Sequence, residues 1–134
     1  MAMAQEYGDV QVVAYDVQPE FRMVVESRAR DAGLPNLPAT DRIDGVFDRI
    51  FALNVLHEIG DADVSAIREA LTPAGFAVIV DWDAAVDDRP TGPPRDHVYT
   101  EEEGIARLRA AGFTQIKKIE EPKLPYHYVL RALR

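Results

Sequence analysis

The run of residues 75–82, GFAVIVDW, is apolar at nearly every position before Asp81. A strand that is apolar on both faces is buried on both faces, which is typical of a parallel sheet covered by helices. Two other runs, VQVVAYD at 10–16 and FDRIFALN at 47–54, have the same β-branched and aromatic character, and each ends at a polar residue. These three runs predict buried strands of an α/β sheet.

Helical segments separate the predicted strands. Pro19 suits the first turn of a helix over residues 18–33, and a second helix is expected within residues 61–75. Thr100 with Glu103 three residues later forms a capping box that predicts a third helix, and Gly112 suits the end of that helix. No helical pattern follows, so the last two strands are expected to pair antiparallel.

This alternation predicts one α/β domain over residues 1–134, with a mostly parallel sheet whose last strand is antiparallel. Ligands of such sheets bind at the carboxyl ends of the strands. Asp16, Asn54 and Asp81 each follow or end a predicted strand, so we expect them along one edge.

Charge and composition exclude several classes of function. The 134 residues include 15 basic and 23 acidic side chains, which gives a formal net charge of -8. That balance disfavours a nucleic-acid partner, because phosphate binding needs a basic face. The lack of cysteine excludes disulfides and thiolate metal sites, and it is compatible with a cytoplasmic protein. No run has the length of a membrane span, and the start MAMAQEYGD lacks the pattern of a signal peptide.

Four segments, in order, resemble the class I S-adenosylmethionine-dependent methyltransferases that act on small molecules. They are VVAYDVQPEF, DGVFDRIFALNVLHEI, LTPAGFAVIVDW and the C-terminal pair EEEGIARLRAAGF and LPYHYVLRA. Their order is similar to the second through last strands of that Rossmann-like fold, and the resemblance covers nearly the whole chain. It implies S-adenosylmethionine as the cofactor and a small-molecule acceptor as the substrate.

The resemblance also implies which residues bind the cofactor. Asp16 matches the acid that accepts hydrogen bonds from the ribose hydroxyls, and Val17 matches the position that packs on the adenine. Asn54 matches the strand end beside the methionine part of the cofactor. Asp41 is a possible counterpart of the acid that recognises the adenine amino group.

The sequence departs from the family at its main signature. The family carries a Gly-x-Gly-x-Gly loop after its first strand, and this chain has no such loop. Its start resembles the end of the helix that follows that loop, so the fold is expected to be N-terminally truncated. A missing central strand would leave the strands at 10–16 and 47–54 without partners, and we therefore expect a homodimer.

Methyl transfer mainly requires proximity and orientation of the acceptor, and a base helps when the acceptor is a hydroxyl or an acidic carbon. His97 and His127 are the candidate bases, and the sequence does not choose between them. With Tyr99 and Tyr126 they could line a substrate site, although polar and aromatic residues are also common at strand ends. The carboxylates Asp81, Asp83, Asp87 and Asp88 could do acid–base work, but a solvated acidic loop is the simpler interpretation.

The segment NVLHEI places His57 and Glu58 among apolar residues. The pair resembles the start of the zinc signature His-Glu-x-x-His, but Asp61 stands where the second histidine would be, so we predict no metal site. His57 is then interpreted as a hydrogen-bonded structural residue, in a segment that is polar because it lies beside cofactor and substrate.

Three functions remain open from the sequence. The first is a methyltransferase, or a truncated remnant of one, acting on an unknown acceptor. The second is a methyltransferase-like module without catalysis that works as a homodimer or a subunit. The third is another nucleotide-binding α/β domain in which Asp16 still binds a ribose.

Overall fold

The computed structural model describes residues Met1–Arg134, which form two compact units, Met1–Asp44 and Gly45–Arg134. In chain order the first unit contains α1 (Ala2–Glu6), β1 (Ala14–Tyr15), α2 (Pro19–Asp31) and β2 (Ala39–Thr40). The second contains β3 (Phe47–Leu53), α3 (Asp61–Glu69), β4 (Leu71–Trp82), a short 3-10 helix (Arg95–His97), α4 (Glu101–Ala110), β5 (Thr114–Lys118) and β6 (His127–Leu133).

The first unit is a two-stranded parallel sheet, β1 beside β2, with α2 between them in the chain. Its core is small and consists of Ala4, Ala29 and Leu37. The side-chain amide of Asn36 donates to the carbonyls of Ala4 and Val10, both at 3.0 Å, and so ties α1 and the chain before β1 to the loop before β2. This unit therefore depends on polar crosslinks as well as on apolar burial.

The second unit is a four-stranded sheet in the order β3-β4-β6-β5. β3 and β4 are parallel, and β6 is antiparallel to both of its neighbours, β4 and β5. Only the last strand of this sheet therefore runs against the others, which confirms the predicted mostly parallel sheet with an antiparallel last strand. The largest fully buried apolar side chains are Leu56, Val64, Leu71, Ile79, Leu108 and Leu130.

The helix ends follow the sequence signals. The Thr100 hydroxyl accepts from the Glu103 amide at 3.2 Å, and the Glu103 carboxylate accepts from the Thr100 amide at 2.8 Å. Gly112 has φ +92° just after α4, a conformation that favours glycine. The capping box and the glycine stop predicted for this helix are confirmed.

Three predicted details of the strands and helices are wrong. The strand expected over 10–16 is reduced to Ala14–Tyr15, although Val12 also donates to the Asn36 carbonyl. The segment LTPAG, expected to end the helix that begins at Asp61, is the start of β4, because α3 already ends at Glu69. The strand expected to be buried on both faces is β4, and from Gly75 onward only one of its faces is buried while the other is half-buried. On the half-buried face the guanidinium carbons of Arg49 and Arg131 lie 4.8 and 4.2 Å from the Phe76 ring centroid.

The apolar side chains of α2 are mostly exposed. Phe21 and Val24 are 55% and 45% exposed, and only Ala29 of this helix is buried. The reason is that α2 packs on a sheet of only two short strands, which covers little of its surface. Separately, no helix of the chain combines the length and apolarity that a membrane crossing requires.

Candidate functional site

Asp16 lies at the carboxyl end of β1. Its amide donates to the Thr40 carbonyl at 3.1 Å, which extends the pairing of β1 with β2 by one residue. Its carboxylate Oδ1 accepts from the Gln18 amide at 2.8 Å, and Arg22 donates to its carbonyl at 2.7 Å. The carboxylate is thus fixed in direction, and its Oδ2 makes no hydrogen bond within the protein.

A cavity of about 80 Å³ adjoins Asp16 within the first unit. It is lined by Ala14, Tyr15, Asp16, Phe21, Arg22, Val25 and Ala39. Most of these walls are apolar, and the Asp16 carboxylate supplies the acceptor. This combination suits a small group that carries hydroxyl donors on an otherwise apolar body.

Two other cofactor candidates lie in the same unit. Val17 follows Asp16 and is 65% exposed, so it presents an apolar side chain to solvent. Asp41 has a half-exposed side chain near two guanidinium groups, 4.0 Å from Arg22 and 3.7 Å from Arg42. Asp41 is therefore already engaged by basic side chains.

In the second unit, Asn54 ends β3. Its amide donates to the Val80 carbonyl at 2.7 Å, and its φ of 55° lies in the left-handed region that asparagine tolerates. The chain turns sharply there and leads into the segment that carries His57. Since β4 runs parallel to β3, Asn54 and Asp81 lie at the same edge of this sheet, as predicted for these two residues.

Asp81 is fully buried and its carboxylate is fully engaged by His57 and Trp82. Oδ2 accepts from the His57 amide at 2.9 Å, while Oδ1 pairs with the His57 ring Nδ1 at 2.7 Å and accepts from the Trp82 amide at 2.8 Å. A carboxylate only accepts, so the proton between them sits on Nδ1, and in the neutral ring Nε2 keeps a free lone pair. The nearest acid to Nε2 is Glu58 at 3.7 Å, beyond hydrogen-bond distance.

Arg107 of α4 holds the segment around His57 in place. Its guanidinium donates to the carbonyls of Leu56 at 2.6 Å and Ile59 at 2.9 Å, and to the Asp61 carboxylate at 3.0 Å. The same group lies 5.1 Å from the Tyr99 ring centroid. One side chain thus fixes both ends of the turn that presents the imidazole.

His127 begins β6, opposite Trp82 of β4. The two rings stack with centroids 4.1 Å apart and planes inclined by 33°. The His127 Nδ1 atom is buried without a hydrogen-bond partner. Burial lowers the pKa of His127 below 6.5, and the nearby Asp81 opposes that shift. Burial thus favours the neutral form of the ring, which is the form that acts as a base.

His97, the other candidate base, lies in the short 3-10 helix Arg95–His97 of the loop between β4 and α4. It is exposed, and its side chain makes no hydrogen bond. The structure does not bring His97 and His127 into contact, and both remain candidates.

Next to His127, the Tyr128 side chain is buried and its hydroxyl has no hydrogen-bond partner. Burial raises the pKa of this phenol, which stays protonated. A Cβ added at Gly104 of α4 would lie 2.8 Å from the hydroxyl, so only glycine allows this close approach.

The sequence analysis missed the pairing of His57 with Asp81 and the role of Arg107. The polarity of NVLHEI was the available signal for His57. The partner lies 24 residues away on another strand, and a single sequence does not reveal which distant acid meets it.

No protein-family model matches the chain, and no curated protein matches it in sequence. Solved structures match it closely in shape. A SAM-dependent methyltransferase from Aquifex aeolicus has a TM-score of 0.83 at 23% identity, covering 98% of this chain and 73% of that one. The S-adenosylmethionine-dependent methyltransferase SibL, in its apo form, has a TM-score of 0.76 at 21% identity, covering 99% of this chain and 46% of that one.

The [4+2]-cyclase SpnF also matches, with a TM-score of 0.77 at 16% identity, covering 99% of this chain and 70% of that one. The class that these likenesses define is the Rossmann-like α/β fold. Within it, the chain has the fold of the class I S-adenosylmethionine-dependent methyltransferases. At such identities the likeness establishes the fold, and the activity has to be argued from the site.

Proposed function

We propose that this chain is the cofactor-binding part of an S-adenosylmethionine-dependent methyltransferase that acts on a small-molecule acceptor. The observation that carries the proposal is the carboxylate of Asp16, which ends β1 with one oxygen fixed by Gln18 and the other free. A ribose diol offers two hydroxyl donors to such a carboxylate. In this fold the acid that ends the corresponding strand is the one expected to hold the ribose.

The remaining cofactor contacts follow from the same assignment. Val17 packs against the adenine with its exposed side chain, Asn54 borders the methionine part, and Asp41 is the candidate for the adenine amino group. When bound, the cofactor supplies an electrophilic sulfonium methyl group. The chain has no Gly-x-Gly-x-Gly segment that would bring its backbone against the cofactor, so we expect weak binding by these 134 residues alone.

The acceptor needs a base if its methylated atom carries a proton. His127 and His97 are the bases that we proposed from the sequence, and His127 is the half-buried one, whose pKa is lowered by burial. The geometry adds His57, whose Nδ1 is held by Asp81 and whose Nε2 keeps its lone pair. An imidazole oriented by a carboxylate in this way is a recurrent general-base arrangement.

Calorimetric titration with S-adenosylmethionine tests the proposal. We expect weak but saturable binding to the unchanged chain and no measurable heat with Asp16→Ala. Asp31→Ala, at the exposed end of α2, removes an acid of the same unit and serves as the matched control. Binding that survives Asp16→Ala unchanged would contradict the assignment of the ribose site.

A second candidate function is a non-catalytic module that assembles through its strand edges. Exposed apolar residues on β3 favour it, since Phe51 and Leu53 are 44% and 58% exposed on an edge strand. We propose a homodimer on this ground. We also propose that the protein acts in the cytoplasm and that neither nucleic acid nor a membrane is its partner. A dimer that binds no cofactor would favour this second function over the first.

A further inference from the structure

Two opposite charges line the cavity of the first unit without pairing with each other. They are the side chains of Asp16 and Arg22. The Arg22 guanidinium donates from Nη1 to the backbone carbonyl of Asp16 at 2.7 Å, while the Asp16 carboxylate accepts from the Gln18 amide at 2.8 Å. Neither contact joins the guanidinium to the carboxylate, so the cavity keeps both a donor and an acceptor for a ligand.

The Arg22 guanidinium has donors left over. A guanidinium carries five N–H groups, and this side chain makes a single hydrogen bond within the protein, to the Asp16 carbonyl. Its other polar neighbour, the Asp41 carboxylate, lies 4.0 Å away, which is an ion-pair distance and too long for a hydrogen bond. Because the Arg22 side chain is 21% exposed, part of its donor edge is uncovered.

We propose that Arg22 is a specificity-determining residue of the cofactor site, which recognises the ribose diol together with Asp16. A hydroxyl is both donor and acceptor, so a hydroxyl that donates to the carboxylate can accept from the guanidinium. Hydrogen bonds to charged groups are the stronger kind. This inference deepens the proposed function and rests on it, because it places a ribose in the cavity beside Asp16.

The size of the cavity suits a diol. Its volume of about 80 Å³ is several times the roughly 10–15 Å³ that one water molecule needs. That space takes the hydroxyl edge of a sugar and leaves the rest of a nucleoside outside, where the Val17 side chain is exposed. Phe21 and Val25 line the same cavity and offer apolar surface to the carbons of the sugar ring.

The test compares two nucleosides that differ only in the diol. Adenosine carries both hydroxyls and dideoxyadenosine carries neither, while the base is the same. The NMR signal of the Gln18 amide, which donates to the Asp16 carboxylate, follows the binding of each. For the unchanged chain we expect a saturable shift with a midpoint on the order of 1–10 mM for adenosine, and about tenfold weaker binding of dideoxyadenosine.

The ratio of the two midpoints reports on Arg22. In Arg22→Met this ratio should fall by about threefold or more, because one partner of the diol is lost. Arg22→Lys keeps a charged donor and should recover part of the ratio. Arg30→Met removes an exposed arginine of the same helix and should keep the ratio of the unchanged chain. A purely structural role of Arg22 would weaken both nucleosides alike and leave the ratio as it was.

One measurement needs no substitution. In the unchanged chain the side-chain Nε–H signal of Arg22 should shift with adenosine and stay in place with dideoxyadenosine. Equal binding of the two nucleosides, or the same ratio in Arg22→Met and the unchanged chain, would overturn the inference. A Gln18 shift with free methionine that disappears in Arg22→Met would also overturn it, because the two charges would then hold an ammonium and a carboxylate.

Asp16→Ala separates these results from a failure of the proposed function. If the ratio depends on Asp16 and not on Arg22, the ribose site stands and only the role of Arg22 is wrong. If S-adenosylmethionine binding survives Asp16→Ala unchanged, the ribose site and the role of Arg22 are both wrong.

Discussion

At the scale of single residues, the buried Asp81 carboxylate holds His57 at the carboxyl-end edge of the four-stranded sheet. It accepts three hydrogen bonds, two from His57 and one from the Trp82 amide. Removing one partner would leave a buried charge short of donors, which costs about 1–3 kcal/mol or more. The polarity of NVLHEI thus has a structural cause, and the same contacts orient an imidazole at the sheet edge where ligands of this fold bind.

His127 gives a prediction about pH. Its folded-state pKa lies below its ordinary value of 6.5, mainly because the ring is buried. In acid the unfolded chain therefore binds a proton at His127 more readily than the native chain does. The stability contributed by the neutral ring is fully present above pH 6.5 and is lost as the pH falls through the folded pKa. His127→Asn should make the free energy of unfolding less dependent on pH in that acidic window.

Denaturant titrations at several pH values measure this dependence, and an NMR titration of the His127 ring gives its pKa directly. The exposed His97→Asn variant is the control and should keep the dependence of the unchanged chain. A His127 ring that titrates above 6.5 would contradict the burial argument.

At the scale of elements, α4 is joined to the turn that carries His57 by Arg107. Replacing Arg107 with Ala removes donors to Leu56, Ile59 and Asp61 and leaves two carbonyls short of partners. We expect a loss of stability on the order of 2–3 kcal/mol, since bonds from a charged donor are the stronger kind. We also expect the His57 ring signals to broaden in NMR spectra as the turn loosens.

Arg109→Ala, two positions further along the same helix and exposed, should change the stability by less than about 0.5 kcal/mol. Chemical denaturation measures both variants. An Arg107→Ala chain as stable as the Arg109→Ala chain would show that the turn is held by other contacts.

How far the sequence predicts these elements depends on how local their determinants are. Thr100, Glu103 and Gly112 act within one turn of α4, and the predicted capping box and helix end are confirmed. The segment LTPAG has turn residues, and in the structure it is the irregular start of β4, where Leu71 pairs with β3 and the register shifts before Phe76. The contact between His57 and Asp81 depends on the register of β3 with β4, which no local pattern encodes.

At the scale of the whole molecule, the two edges of the four-stranded sheet differ. The β5 edge carries Lys117 and Lys118, both exposed, and charged edges resist pairing with other strands. The β3 edge carries the exposed charges of Asp48 and Arg49 in its first half and presents Phe51 and Leu53 in its second half. The apolar second half of this edge, which lacks a charged side chain, favours pairing with a second copy of the chain.

We therefore expect light scattering to give about twice the monomer mass of 14.9 kDa. Leu53→Lys places a charge on the β3 edge and should shift the chain to monomer, while Ile119→Lys, just beyond β5, should not. A monodisperse monomer that unfolds cooperatively at dilute concentration would contradict the homodimer.

The central claim is that this chain binds S-adenosylmethionine at the strand end marked by Asp16. Amide NMR spectra recorded during a titration with the cofactor test it most directly, since they report each residue separately and detect weak binding. We predict saturable shifts concentrated at Asp16, Val17 and Gln18 of the first unit, all lost in Asp16→Ala. Shifts confined to other parts of the chain, or none at saturating cofactor, would contradict it.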